Sequence, residues 1–224
     1  EHDFLVNKFF TEINSHPLRL NIRNNSNYND KKLDGELDFT IINKNNKINY
    51  SLKNNSLNFN TNDNNFTGDI NIKPFFLSSN LKFYQIDLKK IFKENSILVN
   101  FLKSEVLNNK NFNGKININT NEFKGVNFLN EIKSTILLEE GDIIVQNLRT
   151  NFKDSVIINL NNTQLIVDNN KLKFAGNVIL DFADVDNFYS HYQINRKDRK
   201  RIKKINFGFL FNLDDEFIEI DNLK

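Results

Sequence analysis

Apolar side chains recur at every second position along most of this chain, and that period leaves few folds open. Across residues 33–41, LDGELDFTI, every odd position is apolar or Gly and every even position is polar. The same alternation carries Ile48, Tyr50 and Leu52, then Leu57 and Phe59, then Phe66, Gly68, Ile70 and Ile72. It returns at Ile116 and Ile118, at Ile132, Ile136 and Leu138, at Ile143 and Val145, and at Val156, Ile158 and Leu160. It continues at Leu165 and Val167, through Leu172, Phe174, Val178 and Leu180, and through Ile205, Phe207, Phe209 and Phe211. Successive side chains of a strand point to opposite faces, so each run predicts a strand with one apolar and one wet face. The Asn pairs 161–162 and 169–170 suit hairpin turns between runs, because Asn tolerates left-handed backbone. The sum is a meander of about a dozen antiparallel strands.

Helical spacing is confined to two stretches. One is an insert over about 87–108, opened by Asp87 as N-cap and carrying Leu88, Ile91, Phe92, Leu98, Phe101, Leu102, Val106 and Leu107. The other, about 184–193, carries Val185, Phe188, Tyr189 and Tyr192. Pro74 marks a strand end or an edge.

Four strands share one template: LDGELDF at 33–39, FTGDINI at 66–72, FNGKINI at 112–118 and FAGNVIL at 174–180. A large apolar residue is followed two positions later by Gly and then by two more apolar residues of the same parity. Gly on that face lets a sheet bend toward its apolar side, or it starts each strand after a turn.

So few helical residues cannot cover so long an apolar face. The face closes on itself as a sandwich or barrel, winds as a solenoid, or stays open around an apolar ligand. The reading adopted is an all-β fold with one or two short helices: a long curled antiparallel β-sheet forming an open groove.

Composition excludes more than it suggests. The net charge is +2, which makes no general case for nucleic acid as partner. The absence of Cys removes disulfides, thiolate metal sites and Cys nucleophiles together. No apolar run approaches the roughly 20 residues that span a bilayer. The chain opens on Glu1, which reads as a processed form or a piece of something longer. His2, His16 and His191 are scattered, and no nucleophile elbow, phosphate loop or metalloprotease motif is present. The carboxylates at Glu139, Glu140 and Asp142, and at Asp214, Asp215 and Glu216, could ligate Ca²⁺ but suit charged turns better. No catalytic residue, metal or cofactor is expected, and the protein is read as a non-enzyme.

The run FTGDINIKPFFLSSNLKFYQIDLKKIF, residues 66–92, resembles the AsmA-like family of bacterial envelope proteins, with its G-x-apolar-x-apolar-x-P-F strand and a DL opening a short helix. LEEGDIIVQNLRTNF at 138–152, LKFAGNVILDFADVDNFYSHY at 172–192, and RKDRKRIKKI followed by INFGFLFNLDDEFIEIDNL extend the likeness over most of residues 33–224. The resemblance implies an AsmA-like β-groove region over 33–224, from the C-terminal part of its parent, after an unassigned segment 1–32. It further implies a periplasmic location, an inner-membrane tether by a helix outside this chain, and a role in phospholipid transport or outer-membrane assembly. Partner proteins are not indicated.

Two sets of site residues follow. Leu37, Phe39, Phe66, Ile70, Ile72, Phe112, Ile116, Ile118, Phe174, Val178 and Leu180 are expected to line the groove against phospholipid acyl chains. Each buried methylene contributes roughly 0.8 kcal/mol, so such a groove needs no polar constellation. Seven of the nine residues 196–204 are basic. Of these, Arg196, Lys197, Arg199, Lys200, Arg201, Lys203 and Lys204 are expected either as a solvated connection or as contacts to anionic head groups of a membrane surface. The competing class is a structural or adhesive cell-surface β-protein with a closed core.

Overall fold

A computed structural model describes residues 8–15, 20–41, 44–93 and 96–224. His2 and His16 lie outside the described residues. The fold is all-β: fourteen strands form one sheet in strict chain order, each hydrogen-bonded to the next, and the order does not close into a barrel. Contacts divide the chain into two compact units, Glu1–Leu81 and Lys82–Lys224.

The first unit holds β1 (Lys8–Ser15), β2 (Leu20–Asn29), β3 (Lys32–Ile41), β4 (Lys44–Lys53), β5 (Ser56–Thr61), β6 (Phe66–Ile72) and the start of β7 (Phe75–Ile86). Strands therefore run through residue 33, where the sequence reading had placed the start of the groove region. Two-residue turns at Asp30-Lys31 and Asn54-Asn55 have both residues at positive φ. Such turns match the right-handed twist of the strands they join. Pro74 sits in the tight turn between β6 and β7.

The second unit contains the end of β7, then α1 (Leu88–Ile91), α2 (Ile97–Lys103) and a 3₁₀ turn at Val106–Asn108. Its strands are β8 (Asn113–Phe123), β9 (Val126–Glu139), β10 (Asp142–Phe152), β11 (Val156–Asp168) and β12 (Lys171–Phe182). Next come α3 (Val185–His191), a 3₁₀ turn at Arg196–Asp198, β13 (Lys204–Asn212) and β14 (Phe217–Asp221). The helical insert is thus three short pieces. Asp87 caps α1 by accepting from the Lys90 N–H, and Ser96 starts α2 afresh by accepting from the Val99 N–H. Asp184 caps α3 in the same way, accepting from the Asn187 N–H at 2.9 Å.

One expected turn is absent. Asn169-Asn170 is a hairpin turn, but Asn161-Asn162 lies inside β11. There Asn162 takes φ +48°, and the register to β12 shifts between Asn161 and Gln164. The pair is a bulge, because β12 runs unbroken opposite it and holds β11 in one strand.

The packed core of the second unit lies at one end of its apolar face. Val99 and Leu102 of α2 pack with Leu138, Ile143 and Leu172, and Leu172 is fully buried. Leu107, Ile136, Leu165, Val167 and Leu213 pack around them.

Candidate functional site

Directly paired residues on antiparallel strands share a face, so the strand register assembles the apolar face of each unit. In the first unit, Leu37 sits opposite Ile48, Phe39 opposite Ile22, Phe66 opposite Leu81, Ile70 opposite Leu57 and Leu77, and Ile72 opposite Phe75. Four of these five predicted residues are half-buried, and Ile72 is 42% exposed. The rings of Phe59 and Phe66 lie 5.0 Å apart.

Two template glycines here lie inside strands, whereas Gly114 of the second unit is the second residue of β8, just after a turn. Gly35 lies opposite Tyr50, and Gly68 opposite Phe59, both within strands and not at their starts. A Cβ on Gly68 would meet Phe59 Cζ at 2.6 Å as well as the Ser78 carbonyl oxygen, and one on Gly35 would meet the Tyr50 ring. The missing side chain is therefore space occupied by the aromatic ring of the next strand. Tyr50 also donates its hydroxyl to Asn24 Oδ1 at 2.6 Å, which satisfies two polar groups on a face that also carries Ser26, Thr61 and Ser79.

In the second unit, Ile116 pairs with Ile136 and Ile118 with Ser134. Phe174 lies between Leu165 and Phe211, Val178 between Leu160 and Phe207, and Leu180 between Ile158 and Ile205. All five predicted residues are half-buried. Phe112 is half-buried too and precedes β8. Smaller side chains form the floor between them: Thr120, Thr150 and Thr163 are all at most 4% exposed. Each floor hydroxyl donates to a backbone carbonyl: Thr150 to Asn130 at 3.0 Å, Thr120 to Glu122 and Thr163 to Asn161 at 3.3 Å. The floor thus presents methyl groups. Among the described residues, Ser134 Oγ on this face is buried with no protein partner.

The two ends of this face are filled differently. At the α2 end, the Lys103 ammonium donates to Asp214 Oδ1, and the Leu172 N–H donates to Asp214 Oδ2 at 2.7 Å. Burial alone would raise the Asp214 pKa. The Lys103 and Leu172 hydrogen bonds outweigh it and hold the carboxyl below its ordinary value. Asp215 pairs with Lys171 at 2.7 Å. Two carboxylates considered as ion ligands are therefore engaged by lysines, and among the described residues no group of three metal-ligating side chains occurs.

At the α3 end the filling is aromatic. The buried Phe152 ring is stacked on Tyr192 at 5.9 Å, with Phe128 at 5.4 Å, His191 at 5.6 Å and Phe188 at 5.9 Å. His191 Nδ1 is 3.1 Å from Lys153 Nζ, so this histidine belongs to a packed cluster. Sequence spacing missed this cluster, because Phe128 and Phe152 come from strands far from α3 in the chain.

The basic connection does two separate things. Arg199 is structural: its Nε donates to the Ile194 carbonyl at 3.0 Å, and its guanidinium lies 6.0 Å from the Tyr189 ring centre. The Tyr189 hydroxyl donates to the Lys200 carbonyl at 2.7 Å and accepts from the Lys200 N–H, which pins the backbone. Lys204 opens β13, 3.9 Å from Asp181. Arg196, Lys197, Lys200, Arg201 and Lys203 are exposed, and among the described residues they form no ion pair. Asp214 and Asp215 lie at the other end of the strands, while Asp221 returns opposite Gly208 of β13.

No helix among the described residues is long and apolar enough to cross a membrane. No family model, curated protein or solved structure matches the chain, so the resemblance to AsmA-like proteins rests on its strand, glycine and helix-start pattern alone.

Proposed function

We propose that this chain is a non-enzymatic lipid-binding segment of a bacterial envelope protein. It holds phospholipid acyl chains along the apolar face of its sheet and helps move lipid between inner and outer membranes. One observation carries the reading. All fourteen strands belong to a single sheet. Among the described residues no second sheet lies against the apolar face, and Ile116, Ile118, Phe174, Val178 and Leu180 stay only half-buried beside the buried Ile132, Val145 and Phe209. Water-facing apolar area on that scale is costly, and a hydrocarbon ligand relieves it. The floor threonine hydroxyls are satisfied by carbonyls, which leaves Ser134 Oγ as the one buried, unpartnered hydroxyl among the described residues of this face. About ten buried methylenes would contribute about 8 kcal/mol. The AsmA-like resemblance adds the setting: the periplasm, with a tether to the inner membrane outside this chain, and contact to anionic head groups through the basic connection.

The test places a photo-reactive amino acid at Ile118 or Val178 on the apolar face, and at Lys115 or Asn177 on the other face. Lipid adducts from the first pair only, with phospholipid retained in native mass spectra, are expected. Lipid-free protein, or equal labelling from both faces, would refute the proposal.

A further inference from the structure

The α3 end of the second unit carries a surface that neither the apolar face nor the packed core explains. Around buried Phe152 stand Phe128, 42% exposed, Tyr192, 54% exposed, and Ile194, 37% exposed. Ile194 is held against α3 by its N–H donating to the Tyr189 carbonyl at 2.9 Å. Apolar and aromatic groups are thus fixed outward on a rigid base. Lys153 lies against His191, Arg196 and Lys197 follow Ile194 in the chain, and Lys200, Arg201 and Lys203 lead on to β13, all of them exposed. The acidic residues at this end are Asp87, which faces Lys124, and Glu122, Glu131, Asp154, Asp181, Asp184, Asp186 and Asp198. Asp184 is spent capping α3, Asp186 is 3.9 Å from Arg199, and Asp181 is 3.9 Å from Lys204.

The other end has the opposite character. Its three turns between β9 and β10, β11 and β12, and β13 and β14 gather Glu139, Glu140, Asp142, Asp168, Asp214, Asp215 and Glu216. Lys103, Lys171 and Lys173 are each paired there to an aspartate. That end also exposes apolar side chains, Leu98 and Phe101 on α2. Charge is therefore what distinguishes the two ends.

We infer that the α3 end is a docking surface for an anionic bilayer. Tyr192, Ile194 and Phe128 enter the interface, while Arg196, Lys197, Lys200 and Arg201 meet lipid phosphates. This deepens the lipid reading above and rests on it for its biological setting. It also gives a direction: the strands of the second unit present their α3 end to the membrane, and the acidic α2 end faces away. Amphipathic rings beside basic side chains suit the boundary between head groups and acyl chains. Exposed aliphatic Ile194 offers a base no stacking face but suits hydrocarbon, which favours the bilayer.

The experiment is co-sedimentation of the whole chain with vesicles of phosphatidylcholine, alone or mixed with phosphatidylglycerol. Each Lys or Arg near an anionic leaflet is worth about fivefold in partitioning. K200E/R201E should then weaken binding to mixed vesicles by about 25-fold or more, and I194S severalfold. Lys200 bonds Tyr189 through its backbone only, so the charge reversal leaves the local fold in place. L98S/F101S at the acidic end should bind like wild type. Binding that ignores phosphatidylglycerol, or equal loss in L98S/F101S, would overturn the inference. So would preferential binding of homopolymeric RNA. Failure of docking with face-specific lipid crosslinks intact would remove this surface alone, whereas docking without crosslinks would remove the lipid-carrying face.

Discussion

Leu172→Ala should destabilise the second unit far more than Val178→Ala, although both side chains lie on one strand and one face. Leu172 is fully enclosed by Val99 and Leu102 of α2 and by Leu138 and Ile143. Truncation removes about three methylene equivalents, or about 2.4 kcal/mol of transfer free energy. A residual void of about 60 Å³ adds about 1.5 kcal/mol, giving about 4 kcal/mol in all. Val178 is half-buried, so its truncation loses about half of two methylene equivalents, about 0.8 kcal/mol, and opens no closed void. Amide hydrogen exchange on peptides from α2 and β12 reads this directly. Each 1.4 kcal/mol is about tenfold in the opening equilibrium, so Leu172→Ala should speed exchange of globally protected amides by about three decades and Val178→Ala by less than one. Leu172→Val provides a milder intermediate. Equal acceleration by both truncations would refute the reasoning, because it would mean that the middle of the face is packed as tightly as the α2 end.

Asp214 predicts a pH dependence. Its folded-state pKa is lowered, so its contribution is complete above the ordinary carboxylate value of about 4 and disappears as pH falls through the lowered value. Asp214→Asn should cost about 2 kcal/mol at neutral pH, and urea midpoints of variant and wild type should converge as pH falls below the ordinary carboxylate value; a gap independent of pH would show that the carboxylate charge is not what matters. Gly68→Ala should lower the urea midpoint more than Gly35→Ala. A Cβ at Gly68 meets a backbone carbonyl as well as Phe59, whereas one at Gly35 meets only the movable Tyr50 ring. Overpacking of the first kind costs about 1–3 kcal/mol, and the reverse order of midpoints would contradict the close-approach argument.

The strands were legible because alternation is a strong signal and because the face is one-sided. The three helix starts were also legible in part, since Asp87 and Asp184 cap through their side chains as their positions suggest. The Asn pairs show where local reading stops. Asn169-Asn170 and Asn161-Asn162 are the same dipeptide, yet one turns the chain and the other bulges. What decides is long-range pairing: Leu160 faces Val178 and Leu165 faces Phe174 on a single unbroken β12. The parity of apolar residues changes between Leu160 and Thr163, which would have signalled one extra residue. A facing change occurs in β10 at Asn147, with φ +52°, so the kink is shared by two strands. The aromatic cluster around Phe152 carried no local signal at all, because it exists only once β9, β10 and α3 meet.

Coverage explains why the predicted lining residues of the second unit end only half-buried. β12 has 12 residues, or about 40 Å of strand at about 3.3 Å per residue. α2 and α3 have seven residues each, about 10 Å long and about 10 Å across. Whatever their orientation, two such helices cover about half the length of that strand, and they sit at its opposite ends. Leu172 beneath α2 is accordingly sealed, and Phe182 beside Phe188 is packed edge to face at 5.1 Å. Phe174, Val178 and Leu180 lie between them with only sheet neighbours assigned. Filling that gap would take about 20 Å of further apolar matter, which is the length of about 16 extended methylenes and the reason an acyl chain is the occupant proposed.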